Sequence, residues 1–342
     1  MQALVLAGGE GTRLRPLTLT TPKPVMPLAG RPFLTFMLDW LRRHGVGEVV
    51  LSCGFMSDAV ESVLGDVYAG MRLRYVHEDE PLGTAGPVRL ALDEGVLGDR
   101  LLVLNGDVLT DMDLGAQLSW HEQKGAVTTL ALIAVEDTSS YGVVPTDEEG
   151  RVEAFLEKSE APAPTNRVNA GAYVLEREVI ERIPPGRAVS FEREIFPELV
   201  GRGLYGYPQT GYWVDIGTPE RYLEATYDLL AGRVESTLPP RDETGSLIHD
   251  GCITSGARIG PLSVLGRRCL VGAGTHVERA VLHDEVRVGA DCTVIEAILA
   301  RGARVGDGAR VRPGAIIGAE ASVAEGAVVR EDARIQPGER VG

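Results

Sequence analysis

From residue 246 onward, aliphatic side chains recur every six positions, and no other feature restricts the possible folds so sharply. The series runs Ile253, Ile259, Leu265, Val271 and Val277, then later Val305, Val311, Ile317, Val323, Val329, Ile335 and Val341. Glycine follows many of them, as in Ile259-Gly260, Leu265-Gly266, Val271-Gly272, Val305-Gly306 and Ile317-Gly318. Val288 and Val294 keep the period but shift its phase, which predicts short insertions between the runs. Helices repeat every 3.6 residues and strands every two, so neither alone explains a period of six. A parallel β-helix does: each short strand turns one aliphatic residue inward, and small residues form the corners.

Residues 1–232 have a different texture. Apolar strand-like runs at 3–6, 48–53, 73–77, 101–104, 127–135 and 172–175 alternate with helical patterns at 33–44, 58–64 and 87–94. That alternation predicts an α/β domain with a largely parallel central sheet. Ligands of such sheets bind beyond the carboxyl ends of the strands, where Ala7–Arg13 and Asn105–Asp107 would lie. A last helix at 219–230 opens with Thr218 as N-cap and proline in its first turn. Residues 233–245, with Pro239-Pro240, read as a linker before the repeat domain at 246–342.

The charge balance narrows the partners. With 34 Lys+Arg against 49 Asp+Glu the net charge is −15, which excludes the basic stripe of a nucleic-acid binder. The four cysteines are widely spaced with no CxxC pair, so they read as buried small hydrophobes and not as disulfides or a zinc site. No run approaches the ~18 apolar residues of a membrane span. The N-terminal apolar run lacks a basic flank and ends at Gly8-Gly9, so it reads as a strand and the cytoplasm is the expected compartment.

Gly8-Gly9-Glu10-Gly11-Thr12-Arg13-Leu14 follows the first strand directly. Glycines there let backbone N–H groups approach phosphate oxygens. The loop lacks the GK[ST] of a Walker motif, and Leu14 stands where a dinucleotide fingerprint needs its third glycine. Pro16, Pro22, Pro24 and Pro27 should hold the next segment extended. Arg13 and Lys23 offer positive charge to a triphosphate. Asp107 closes the strand 101–104, and a carboxylate there calls for solvent or a cation. Asp215, in Gly211-Tyr-Trp-Val-Asp-Ile-Gly217, is the natural second carboxylate for Mg²⁺.

Leu6-Ala-Gly-Gly-Glu-Gly-Thr-Arg-Leu-Arg-Pro-Leu-Thr with Thr21-Pro-Lys-Pro resembles the signature of the sugar-1-phosphate nucleotidylyltransferases. The resemblance implies a Rossmann-like nucleotidyltransferase domain followed by a left-handed parallel β-helix. It also implies nucleotide binding by Leu6, Ala7, Gly8, Gly9, Gly11, Thr12, Gly83, Thr84 and Asp107. In that family the counterparts of Arg13 and Lys23 grip the NTP phosphates, and those of Asp107 and Asp215 clamp the metal. By the same resemblance Gly142, Glu157, Asn169 and Gly171 line the sugar site, and Lys158 holds the attacking 1-phosphate. Ser159 replaces the family's usual proline after this lysine. The implied reaction is in-line attack of a sugar 1-phosphate on the α-phosphorus of an NTP, releasing pyrophosphate.

His77-Glu-Asp-Glu80-Pro-Leu-Gly83-Thr84 resembles the base loop of the mannose-1-phosphate guanylyltransferase branch. Thymidylyltransferases typically carry a glutamine in that loop, and none occurs between Gln2 and Gln117. Guanine presents two adjacent donors that one carboxylate can accept, which nominates Glu80 and favours GTP. Mannose 1-phosphate follows from resemblance alone; glucose-1-phosphate thymidylyl or uridylyl transfer is the alternative. A catalytically silent nucleotide-sugar sensor is the competing class, and retention of Arg13, Lys23, Asp107 and Asp215 argues against it. Hexad β-helices also occur in acyltransferases, but His276 and His283 read as turn or surface residues. An exposed end coil needs covering, so the repeat domain is expected to support homo-oligomers.

Overall fold

A computed structural model describes residues 1–156 and 163–342. Two compact units emerge, neither contiguous in sequence: Met1–Gly9 with Met37–Trp213, and Glu10–Phe36 with Val214–Gly342.

The first unit is built on an eight-stranded sheet. In chain order its strands are β1 (Gln2–Leu6), β2 (Glu48–Cys53), β3 (Val67–Tyr68), β4 (Met71–His77), β5 (Arg100–Asn105), β6 (Thr128–Ala134), β7 (Arg167–Glu176) and β8 (Leu204–Pro208). Their spatial order is β8-β6-β7-β5-β1-β2-β4-β3. Strand β1 pairs in parallel with β2 on one side and β5 on the other, so the chain reverses its direction of travel across the sheet at β1. Ala3, Leu4 and Val5 are buried because helices cover both faces of such a sheet. The sheet is mixed: β7 runs antiparallel to both β5 and β6, and β3 antiparallel to β4. Sequence periodicity located six of these strands but overlooked the two-residue β3, β8 and the helix Leu114–Lys124, whose Gln117 and His121 are buried polar residues that blur the apolar pattern. Leu4, Val103, Tyr173, Phe191 and Phe196 share one apolar core.

In the second unit the proline-rich segment is not extended. It folds into three single 3₁₀ turns, Thr12–Leu14, Leu17–Leu19 and Lys23–Val25. Prolines break an α-helix yet tolerate the φ of short 3₁₀ pieces, and the expectation of extended chain overlooked that option. The helix Pro219–Ala231 is capped as expected: Thr218 Oγ1 accepts from the Arg221 N–H at 3.3 Å, and Gly232 closes it at φ 73°.

From residue 247 onward every strand pairing is parallel, in three sheets of six, five and five short strands. These form the coils of a left-handed β-helix, with Leu265, Val277, Leu282, Val294, Leu299 and Val311 stacked in its interior. Val264 pairs with Val281 and Val281 with Ile298, steps of 17 residues; Ile298 to Ile316 to Arg334 are steps of 18. The inward Val277 is followed five residues later by Leu282, and Val294 by Leu299. The phase shifts are therefore single-residue deletions at a corner and not insertions. Stacking tolerates them because neighbouring coils lose the same residue at the same corner.

Candidate functional site

Within the first unit, the switch point lies between β1 and β5, where Leu6 and Asn105 are in register. Crevices at such points bind ligands because the loops leaving the two strands diverge. Here the Gly106 N–H donates to the Leu6 carbonyl at 2.9 Å, and a Cβ on Gly106 would stand 2.5 Å from that oxygen. Only glycine permits this approach, which delivers half-buried Asp107 to the strand end. The glycine-rich loop leaves β1 beside it. The Ala7 N–H is tied to the Ser52 carbonyl at 2.9 Å, and Gly8 packs on Gly54 and the Glu78 carboxylate. A Cβ on Gly9 would meet nothing within 4 Å, so that side of the loop is open to an anion.

The segment after β4 is held from both ends. Glu78 accepts from Ser52 Oγ at 2.7 Å and from the Leu82 N–H at 3.0 Å, whereas Glu80 is exposed. Gly83 sits at φ 76°, where a Cβ would also stand 2.5 Å from the Val189 carbonyl. That same carbonyl accepts from the Ala85 N–H at 2.9 Å.

A bulge in β7 shapes the next wall: Asn169 pairs with Leu132 but Tyr173 with Leu130. Bulges re-aim side chains next to functional sites. Gly171, at φ 72°, lies in the bulge against the Asn105 side chain. Asn169 Oδ1 accepts from the Gly171 N–H at 3.1 Å, and its Nδ2 donates to the Tyr173 hydroxyl at 2.8 Å. Gly142 borders the same place, its carbonyl accepting from the Asn169 N–H at 3.0 Å. Glu157 and Lys158 fall outside the described residues.

The second unit carries the remaining residues. Gly11 takes φ 62° and its carbonyl accepts from Thr18 Oγ1 at 2.9 Å. That contact folds the segment so that the Lys23 stem lies against Gly11. Thr12 opens the first 3₁₀ turn and exposed Arg13 follows it. The Arg13 guanidinium and the Asp215 carboxylate then converge on Gly217: Arg13 Nη2 lies 2.6 Å, and Asp215 Oδ1 2.8 Å, from where its Cβ would be. The Gly217 N–H donates to Asp215 Oδ1 at 3.2 Å, which orients the carboxylate.

In the first unit Asp107 offers carboxylate oxygens of the kind a hard divalent cation takes, and Asn105 Oδ1, two residues before it, is buried with no hydrogen-bond partner. In the second unit Asp215 offers a carboxylate of the same kind. Among the described residues no three His, Cys, Asp or Glu side chains gather as a metal cage. Magnesium needs none, since it keeps waters and phosphates beside one or two carboxylates.

Sequence reading missed one residue of this region. Glu192 accepts from Thr84 Oγ1 and Ser190 Oγ, both at 2.7 Å, and from the Tyr173 hydroxyl at 3.4 Å. Burial, with the Glu192 carboxylate beside it, holds the Tyr173 phenol well above its ordinary value, so it stays a donor. Glu192 sits in a π-helical turn, Phe191–Ile195, with no α or β period to flag it. His283 was expected at a turn or surface, yet it is 7 % exposed and its Nε2 lies 3.0 Å from the Tyr222 hydroxyl. His276 pairs with Glu278 at 2.9 Å. All four cysteines are free thiols; Cys53, Cys269 and Cys292 are buried, but Cys252 is only half-buried, at the incompletely covered first coil. Among the described residues no helix is long and apolar enough to cross a membrane.

Known proteins resemble the chain along its length. Residues 2–232 match the family model described as nucleotidyl transferase, and residues 244–341 that of the GMPPB C-terminal domain. A mannose-1-phosphate guanylyltransferase of Mycobacterium tuberculosis is 45% identical over 299 residues, 86% of this chain and 83% of that protein. Mannose-1-phosphate guanylyltransferase 1 of Arabidopsis thaliana is 34% identical over 332 residues, covering 94% and 91%. The crystal structure of HddC from Yersinia pseudotuberculosis complexed with GMP-PN superposes with a TM-score of 0.57 at 29% identity, covering 66% of this chain and 97% of that one.

Proposed function

This chain belongs to the nucleotidyl transferase family, and on that premise we propose that it joins GTP to mannose 1-phosphate, giving a GDP-sugar and pyrophosphate. The observation that carries the reading is the convergence of Arg13 and Asp215 on Gly217: a cation for phosphate oxygens stands beside a carboxylate suited to a metal. A 1-phosphate oxygen attacks the α-phosphorus in line, the bond to the β-phosphate oxygen breaks, and pyrophosphate departs with that electron pair. Such a step needs positioning and charge neutralisation more than a covalent nucleophile.

Arg13 and Lys23 neutralise the triphosphate and stabilise the charge that builds at the α-phosphorus. Leu6, Ala7, Gly8, Gly9, Gly11, Thr12, Gly83 and Thr84 bind the nucleotide, and Glu80 accepts the paired donors of guanine. Asp107 and Asp215 are the carboxylates for Mg²⁺, whose charge would offset that of the phosphates. Gly142, Glu157, Asn169 and Gly171 bind the sugar, and Lys158 its phosphate. The catalytic portion is 1–232 and the linker 233–245, with the β-helix at 246–342 supporting self-association; the spans of the two family models support this division. The names of the M. tuberculosis and A. thaliana relatives support guanine and mannose over the uridylyl alternative.

Pyrophosphate release tests the reading. GTP, ATP, UTP and dTTP are each combined with mannose 1-phosphate or glucose 1-phosphate and Mg²⁺. The GTP–mannose pair should turn over fastest. Faster release with UTP or dTTP and glucose 1-phosphate would replace the substrates, and release from no pair would favour a silent sensor.

A further inference from the structure

The β-helix does more in this fold than end the chain. The residue following each strand of the six-stranded sheet forms one corner of the coil. His249, Gly266 and His283 occupy that corner in three successive coils, at steps of 17 residues, each N–H donating to the coil that follows. His249 meets the segment that carries Arg13 and Lys23 directly, and His283 reaches it through Tyr222. His249 Nε2 lies 3.3 Å from the Ala29 carbonyl and fills the space beside Gly30. The Tyr222 hydroxyl, fully buried in the helix Pro219–Ala231, bonds the Pro27 carbonyl and stands 3.0 Å from His283 Nε2. Tyrosine has one hydroxyl proton. If it goes to the carbonyl of Pro27, which has none to give, then His283 Nε2 must carry a proton and donate to Tyr222. Burial keeps the imidazole uncharged, which makes this the neutral Nε2–H tautomer. Gly266, between the two histidines, leaves their corner free of a third side chain.

We infer that this corner of the β-helix positions the phosphate-gripping segment, with His283 and Tyr222 as positioning residues acting through the Pro27 carbonyl and His249 bracing the Ala29–Gly30 turn. Pro27 is four residues from Lys23, with one 3₁₀ turn, Lys23–Val25, between them. Fixing the carbonyl therefore fixes the lysine's approach to a triphosphate. The inference rests on the proposed roles of Arg13 and Lys23 and adds that the repeat domain takes part in chemistry as well as in assembly.

The test uses the full chain and four variants: His283→Ala, His283→Gln, Tyr222→Phe and Val294→Ala. Val294 lies inside the coil away from the corner, so its truncation loosens the β-helix without touching the relay. Expected for His283→Ala and Tyr222→Phe is a fall in kcat of about tenfold, since misplacing a charge-stabilising group acts on the transition state. KM for mannose 1-phosphate should hold, as should the mass by light scattering. His283→Gln, which keeps an N–H donor, should restore most of the loss, and Val294→Ala should lower Tm while sparing kcat. Amide hydrogen exchange over residues 11–30 should quicken in His283→Ala but not in Val294→Ala, a readout independent of which substrates are used. If kcat and exchange follow Tm alike in all four variants, the relay is merely structural and the inference is overturned. If wild type turns over no pair while the exchange contrast holds, the substrate assignment fails and the bracing stands.

Discussion

Thr84 Oγ1 donates to Glu192 Oε2 at 2.7 Å while the same hydroxyl accepts from the Phe191 N–H at 2.9 Å. One side chain thus ties the loop after β4 to a carboxylate that also accepts from Tyr173, the partner of Asn169. Thr84→Val keeps the shape and removes both bonds. It should raise KM for GTP by about tenfold, the cost of one charge-assisted bond. Initial-rate kinetics at saturating mannose 1-phosphate check this, and an unchanged KM would detach Thr84 from nucleotide binding.

Arg13 and Asp215 both flank Gly217, and any side chain there intrudes on both. The atom nearest a new Cβ is the tip of the Arg13 side chain, which can swing aside at little cost in stability. Gly217→Ala should therefore lower kcat by about a hundredfold, typical of removing one charge-stabilising donor. Tm should shift by only a few degrees. Parallel kinetics and calorimetry separate this outcome from simple unfolding.

Glu80 is exposed, and its neighbour Glu78 is engaged with Ser52 and Leu82. Of the two, Glu80 is the one we propose reads the base. Glu80→Gln exchanges one acceptor for a donor and should cut the kcat/KM preference for GTP over ATP and UTP by about tenfold or more. A preference left intact would move guanine recognition to another group.

His283 makes stability depend on pH in a defined window. Burial pushes its imidazole down to about 4 against the opposing pull of the Asp284 carboxylate, while in the unfolded chain it titrates near 6.5. Between those values the unfolded state holds more protons, so stability rises with pH and is lost as pH falls from about 6.5 towards 4. The full swing is about 3 kcal/mol. Urea unfolding from pH 7.5 to 4.5 should show that slope in wild type and a flatter one in His283→Gln.

Much of this was legible along the chain because it depends on local periods and spacings. The six-residue repeat dictated the β-helix, since each coil pairs only with its neighbours and its inward residues must recur. The run of apolar strands and the glycine-rich turn after β1 likewise announced the α/β sheet and the loop that leaves its first strand. What the tertiary structure decided are contacts between distant segments, which leave no spacing to read. Arg13 and Asp215 both come up against Gly217, far apart in sequence though they are, and Glu192 reaches Thr84 from a π-turn without a pattern. His249 and His283 look unrelated in sequence, but a coil of 17 residues sets them on one corner. Hydrophobic burial alone fixes a period, whereas hydrogen bonds across the fold need a donor and an acceptor brought within about 3 Å.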